Sequence, residues 1–376
     1  MSMDVLKNKI RKLRNPSALT IAPTLDTLPP QYMMEYENPV RGMGEYCRKV
    51  LEALKGQLPA VKVSFGAFAL LGPEGLEELR SVLDTAKSLG YYVILDWQRQ
   101  EDEASAKASA KLLLGGVWKC DSVVLSCYPG SASVKPYITE ANKEKKDVYV
   151  VLKTAGKSGS ELQDLQTGGR MVYTAAADLL ARWGDQTMER CGYSRVAGVG
   201  SASHMASLRT LREKYPKLFL LVDGLEAANA NARNASFAFD NMGAGALVCS
   251  NLLTAWIENP ANDPIEEVVA AAQRMKRNIT TYVTVLSGRG EMKKLRDMLL
   301  VLLGCILWLL DFDNIFWYIL IPAGILAVGI FYEGSWKYYL FAYGLYAVIN
   351  LAIHLLGKKI DKRMEKWFEA QEQKTK

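Results

Sequence analysis

The feature of this chain that most limits its fold is a rhythm of short apolar runs set between amphipathic stretches. Val61–Val63, Tyr91–Leu95, Ser122–Leu125, Val148–Leu152, Val196–Val199, Phe219–Val222 and Ala246–Cys249 have the length and residue types of strands buried on both faces. Helix-period stretches such as Gly75–Leu89 and Met205–Lys214 lie between them. Strands that alternate with helices imply βα units and a parallel sheet. About eight such units over ~280 residues favour a closed (β/α)8 TIM barrel over an open sheet, which sets the fold class as α/β.

Composition narrows the function classes. The chain has 376 residues, 49% hydrophobic and 23% charged, enough for one large domain and something further. The net charge of +6 comes from 46 basic and 40 acidic residues, too mild and too interspersed to predict a nucleic-acid partner. Six cysteines stand at 47, 120, 127, 191, 249 and 305, and the two histidines are His204 and His354. No cysteine pair has Cys-x-x-Cys spacing, so the expectation is no metal site, no cofactor and reduced thiols. The first residues, Met1–Arg14, are basic and amphipathic without the apolar core of a secretory leader. They predict a solvated first helix, or a weak membrane-surface contact.

Composition changes near Arg289. Met298–Leu310 is an unbroken apolar run, and Ile315–Tyr332 and Tyr338–Gly357 are flanked by aromatic residues. The last two are long enough to cross a ~30 Å hydrocarbon layer; the first reads as a short buried or interfacial helix. Lys293, Lys294 and Arg296 precede this region, and Lys358, Lys359, Lys362 and Arg363 follow it. Basic flanks on both sides favour two crossings with both ends cytoplasmic; three crossings with an external C-terminus is the competing arrangement. The predicted organisation is a barrel over residues 1–288, an all-α transmembrane region over 289–357 and a charged tail over 358–376. The lipid bilayer is then a partner, and the localisation is a multi-pass membrane protein with the barrel in the cytoplasm.

The strand Val93–Asp96 runs into Trp97-Gln98-Arg99-Gln100-Glu101. That segment resembles the Asp-x-Lys-x-x-Asp signature of the orotidine 5′-phosphate decarboxylase family, in its bacterial form. The resemblance covers roughly residues 15–285. Leu19–Pro30 looks like the family's first strand, with Ala22 where the family has a substrate-holding aspartate. Lys62 keeps the active-site lysine of the second strand. Lys153–Ser160, Gly200–His204, Phe219–Ala230 and Gly245–Trp256 are similar to further family segments in order and spacing.

The resemblance implies a TIM barrel that removes CO2 from a ring carbon. Such chemistry needs an ammonium beside the carbanion-like centre. The family supplies it from a lysine between aspartates, the last of them contributed by the other subunit of a dimer, which implies a homodimer or higher homo-oligomer here. The candidate catalytic residues are Lys62, Asp96, Gln98 in place of the family lysine and Glu101 in place of the second aspartate. Gln98 is neutral and Glu101 is one methylene longer. The candidate ligand residues are Ala22, Ser201, Ala228 in place of a phosphate-binding glutamine, and Asn251, where no arginine follows the eighth strand. Glu226 adds negative charge to that end and argues against a tightly held nucleotide. Strand alternation sends Asp96 and Gln98 to one side and Trp97 to the other, into the packing between barrel and helices.

The replacements together lead to one expectation: a membrane-anchored, catalytically inactive relative serving as a dimeric scaffold or sensing module. Two alternatives stand beside it. One is an active or altered-substrate decarboxylase of pyrimidine (UMP) biosynthesis, which the surviving Lys62 and Asp96 support. The other is an oligomeric membrane effector or pore.

Overall fold

A computed structural model describes residues 2–227 and 229–284. Eight parallel strands close into a barrel: β1 (Ser17–Ile21), β2 (Ala60–Ser64), β3 (Tyr92–Asp96), β4 (Ser122–Ser126), β5 (Asp147–Val151), β8 (Val196–Ser201), β9 (Leu220–Asp223) and β10 (Ala246–Asn251). A two-residue-per-strand antiparallel hairpin, β6 (Gln166–Thr167) and β7 (Arg170–Met171), interrupts the crossover from β5 to β8. Helices such as Pro39–Ala53, Gly72–Ser88, Glu103–Leu114, Ser131–Glu144, Val172–Gly184 and Met205–Lys214 connect the strands, and residues 264–284 are helical after β10. The seven apolar runs and the first strand are therefore the eight staves of the barrel.

The period-two alternation of each strand divides the core into two layers. Ala60, Tyr92, Ile94, Val124, Tyr149, Ala197, Val199, Phe219, Leu221, Leu247 and Cys249 fill the barrel interior. Leu19, Ile21, Val61, Val63, Val93, Leu95, Val148, Val150, Leu220 and Val222 face the helices. The same parity carries Lys62 and Asp96 inward, one step beyond Ala60 and Ile94. Trp97 has the outward parity. It is buried in the barrel–helix layer with its ring 4.5 Å from that of Phe65, as alternation predicts.

The first helix, Ser2–Leu13, is more than a solvated leader. Its Met3 and Leu6 are fully buried in the barrel-interior cluster, where they close the end from which the strands start. Polar contacts fix its angle: Asp4 accepts from the Cys191 amide at 2.8 Å, and Lys7 Nζ donates to the Cys191 carbonyl at 2.8 Å. Burial of two such side chains contributes roughly 1.5–3 kcal/mol each. Arg11, Lys12 and Arg14 stay exposed, while the apolar side of the helix serves as a barrel plug.

Among the described residues no helix is long and apolar enough to cross a membrane. The expectation of a multi-pass membrane protein is corrected for the described residues. The apolar runs of the described chain are short strands and helix faces that bury against each other. The stretches at 298–310, 315–332 and 338–357 lie outside the described residues.

Candidate active site at the barrel mouth

Inward parity, continued to the end where the strands finish, collects Ala22, Lys62, Asp96, Lys153, Ser201, Asp223 and Asn251 around one opening. The centre is Lys62, 4% exposed. Its ammonium pairs with Asp223 and lies 3.4 Å from Asp96 Oδ2. A buried ammonium is tolerated only when paired. Burial by itself lowers the Lys62 pKa, but the charges of Asp223 and Asp96 outweigh it and hold the group above its usual range. Burial pushes the Asp96 carboxyl above its usual value, against the pull of Lys62.

Gln98 stands beside this pair. Its Nε2 donates to Asp96 Oδ1 at 2.7 Å, and its backbone has φ +37°, a left-handed conformation uncommon for a side chain other than glycine. The turn lets the amides of Trp97 and Gln98 both donate to the Val124 carbonyl, at 3.2 and 2.9 Å. Glu101 is directed elsewhere: its carboxylate accepts from Ser109 Oγ at 2.6 Å and the Tyr137 hydroxyl at 2.5 Å. Asp102 caps the helix Glu103–Leu114 by accepting from the Ser105 amide.

The opposite side of the mouth is tied together by short polar contacts. Glu226 accepts from Ser250 Oγ at 3.0 Å and from the Asn251 amide at 3.3 Å. Asn251 Nδ2 donates to the Ala22 carbonyl at 3.4 Å. Ser201 is fully buried and accepts from the Ser203 amide at 3.2 Å. Lys153, 2% exposed, pairs with Asp164 at 2.8 Å. Burial, and next the charge of Lys153, lower the pKa of His204. Gly224 follows Asp223 with φ +69°, and a Cβ there would come 2.9 Å from the Ala155 Cβ, so the loop after β9 needs a glycine at this point. Ala228 lies outside the described residues.

The structure thus joins Lys62 to Asp96 and Gln98 but gives Glu101 different partners. It adds Asp223. Its signal was there: an acidic residue of inward parity at the end of the apolar run Leu220–Val222. Asp223 carries a carboxylate to Lys62 from the seventh strand of the barrel, where Ala22 leaves none on the first. A separate apolar pocket of about 260 Å³, lined by Leu180, Ala181, Met188, Pro216 and Leu218, lies near the starts of β8 and β9 and shares none of these residues.

Fold and mouth define a (β/α)8-barrel protein whose ionisable groups gather at the strand ends where barrels of this kind hold their active sites. No protein-family profile matches the chain. A protein of Rhodopirellula baltica named orotidine 5′-phosphate decarboxylase is 31% identical over 213 residues, covering 55% of this chain and 70% of that one. One of the same name from Clostridium novyi is 26% identical over 213 residues, covering 56% and 74%. The solved OMP decarboxylase of Leishmania donovani superposes with a TM-score of 0.59 at 23% identity, over 75% of this chain and all of that one (100%). The orotidine 5′-monophosphate decarboxylase of Plasmodium berghei gives 0.63 at 15% identity, over 74% and 98%. The chain belongs to the orotidine 5′-phosphate decarboxylase family.

These findings overturn the expectation of a membrane-anchored inactive scaffold. The relatives bear the name of a decarboxylase, and the barrel mouth holds an assembled, ion-paired lysine. The physical reason is that all eight strands end on the same opening, so Lys62 has two carboxylate partners there, Asp96 and Asp223, although Ala22 carries none.

Proposed function

We propose that the protein is a carboxy-lyase of the orotidine 5′-phosphate decarboxylase type, acting on a carboxylated pyrimidine. The observation that carries this reading is the Lys62 ammonium, buried between Asp96 and Asp223 at the barrel mouth. As the ring carbon–carboxylate bond breaks, CO2 leaves and the electron pair stays on carbon. Lys62 stabilises that charge and delivers the proton from Nζ to carbon, then regains one from water. Asp96 and Asp223 keep the amine protonated and aimed before the reaction, so little reorganisation is needed as charge develops. Gln98 is a neutral donor that orients Asp96 through its 2.7 Å hydrogen bond.

The proposal includes a homodimer, as the family resemblance implies. Its test is CO2 release by the purified full chain, offered carboxyl-labelled orotidine and orotidine 5′-phosphate separately. Release from either compound supports the reading. Release from neither, with folded protein, overturns it.

A further inference from the structure

In (β/α)8 barrels the loops after the seventh and eighth strands commonly form the phosphate site, from backbone amides and hydroxyls that point at the anion. Here the corresponding donors are engaged. The Ser250 hydroxyl and the Asn251 amide both donate to the Glu226 carboxylate, from the loop after β9, at 3.0 and 3.3 Å. Ser250 is 4% exposed, so the hydroxyl is built into the site and not a surface group. The Asn251 side chain is held as well, by the Ala22 carbonyl and the Leu253 amide. No arginine or lysine occurs in Cys249–Trp256.

Charge points the same way. Lys62 is shared by Asp96 and Asp223, and Lys153 is paired with Asp164. Among the described residues Glu226 has no cationic partner at this opening. A phosphate monoester, with about −1.5 to −2 charges at neutral pH, would enter a mouth where carboxylates already outnumber ammonium groups. A ribose 5′-hydroxyl meets the opposite situation: it is a donor, and the Glu226 carboxylate is an acceptor.

We infer that Glu226 is a specificity-determining residue that fills the phosphate position with the protein's own carboxylate. The site therefore takes an unphosphorylated carboxylated pyrimidine nucleoside in preference to its 5′-phosphate. The inference rests on the decarboxylase reading for the pyrimidine end of the ligand, and on Glu226 alone for the other end.

The test is calorimetric titration of the full chain and of Glu226→Gln with uridine, uridine 5′-monophosphate and inorganic phosphate. The wild type should bind uridine at least ~10-fold tighter than its monophosphate, an order between the bulk-water and near-surface figures for one unit charge. Glu226→Gln should raise affinity for the monophosphate and for inorganic phosphate by about tenfold, and change uridine by less than ~3-fold because the amide retains an acceptor. A wild type that prefers the monophosphate, or a variant that gains neither phosphate ligand, overturns the inference. If inorganic phosphate gains affinity in the variant while neither pyrimidine binds either protein, Glu226 keeps its assigned role and the pyrimidine reading fails.

Discussion

Asp147 opens β5 at the floor of the barrel, fully buried, and its replacement by asparagine gives a quantitative test of the electrostatics. Burial pushes its carboxyl up to about 7, even though the Tyr92 hydroxyl donates to Oδ2 at 2.6 Å and pulls the other way. An unfolded aspartate titrates near ~3.9. The folded state therefore favours the protonated form: the stabilising contribution is fully present below pH ~4 and is lost as pH rises to about 7. At ~1.4 kcal/mol per pH unit, the gap corresponds to about 4 kcal/mol as an upper figure. Asp147→Asn keeps an acceptor for Tyr92 and cannot ionise. Its melting temperature relative to wild type should rise steadily from pH 5 to pH 7 and stay level above. At ~2 °C per kcal/mol for a domain of this size, the gain at pH 8 is about 8 °C. Melts of both proteins at pH 5, 6, 7 and 8 measure it. A difference that does not vary with pH would refute the assignment of a buried, ionising carboxyl.

Further outcomes follow from the same contacts. Leu6→Ala removes a barrel-plugging side chain and should cost about 2–5 kcal/mol of stability in denaturant unfolding, with the mouth chemistry retained in the surviving folded fraction. Asp223→Asn should lower kcat far more than it changes KM, and should move the basic limb of the pH profile to lower pH, because Lys62 loses one of the charges that raise its pKa. Gly224→Ala forces a side chain into φ +69° and against Ala155, so it should cost at least ~1 kcal/mol and weaken ligand binding in the same titrations.

The parts of the fold legible in sequence were those governed by local pattern. Seven apolar runs announced their strands, and alternation placed Asp96 inward and Trp97 outward. The hairpin β6–β7 was not legible, since two residues per strand carry no period. The first helix showed its amphipathic face, but periodicity does not name the surface a face meets; here it is the barrel interior, sealed by Met3 and Leu6. The site was half legible for a related reason. Lys62 and Asp96 lie on neighbouring strands, each in a segment with its own family likeness, whereas Asp223 reaches Lys62 across 161 residues of sequence. The consequence of Glu226 also depended on contacts: its charge was visible, but its hold on Ser250 and Asn251 was not. The left-handed turn at Gln98 was likewise hidden, because no glycine marks it.

In the proposed decarboxylation the ion-paired Lys62 is the proton donor. The most direct measurement is CO2 release from carboxyl-labelled orotidine and orotidine 5′-phosphate by the wild type and by Lys62→Met, with circular dichroism confirming that both are folded. Turnover by the wild type and a loss of at least ~10²–10⁴-fold in the variant are expected, the range for a positioned general acid. Equal release by the two proteins would contradict that role of Lys62.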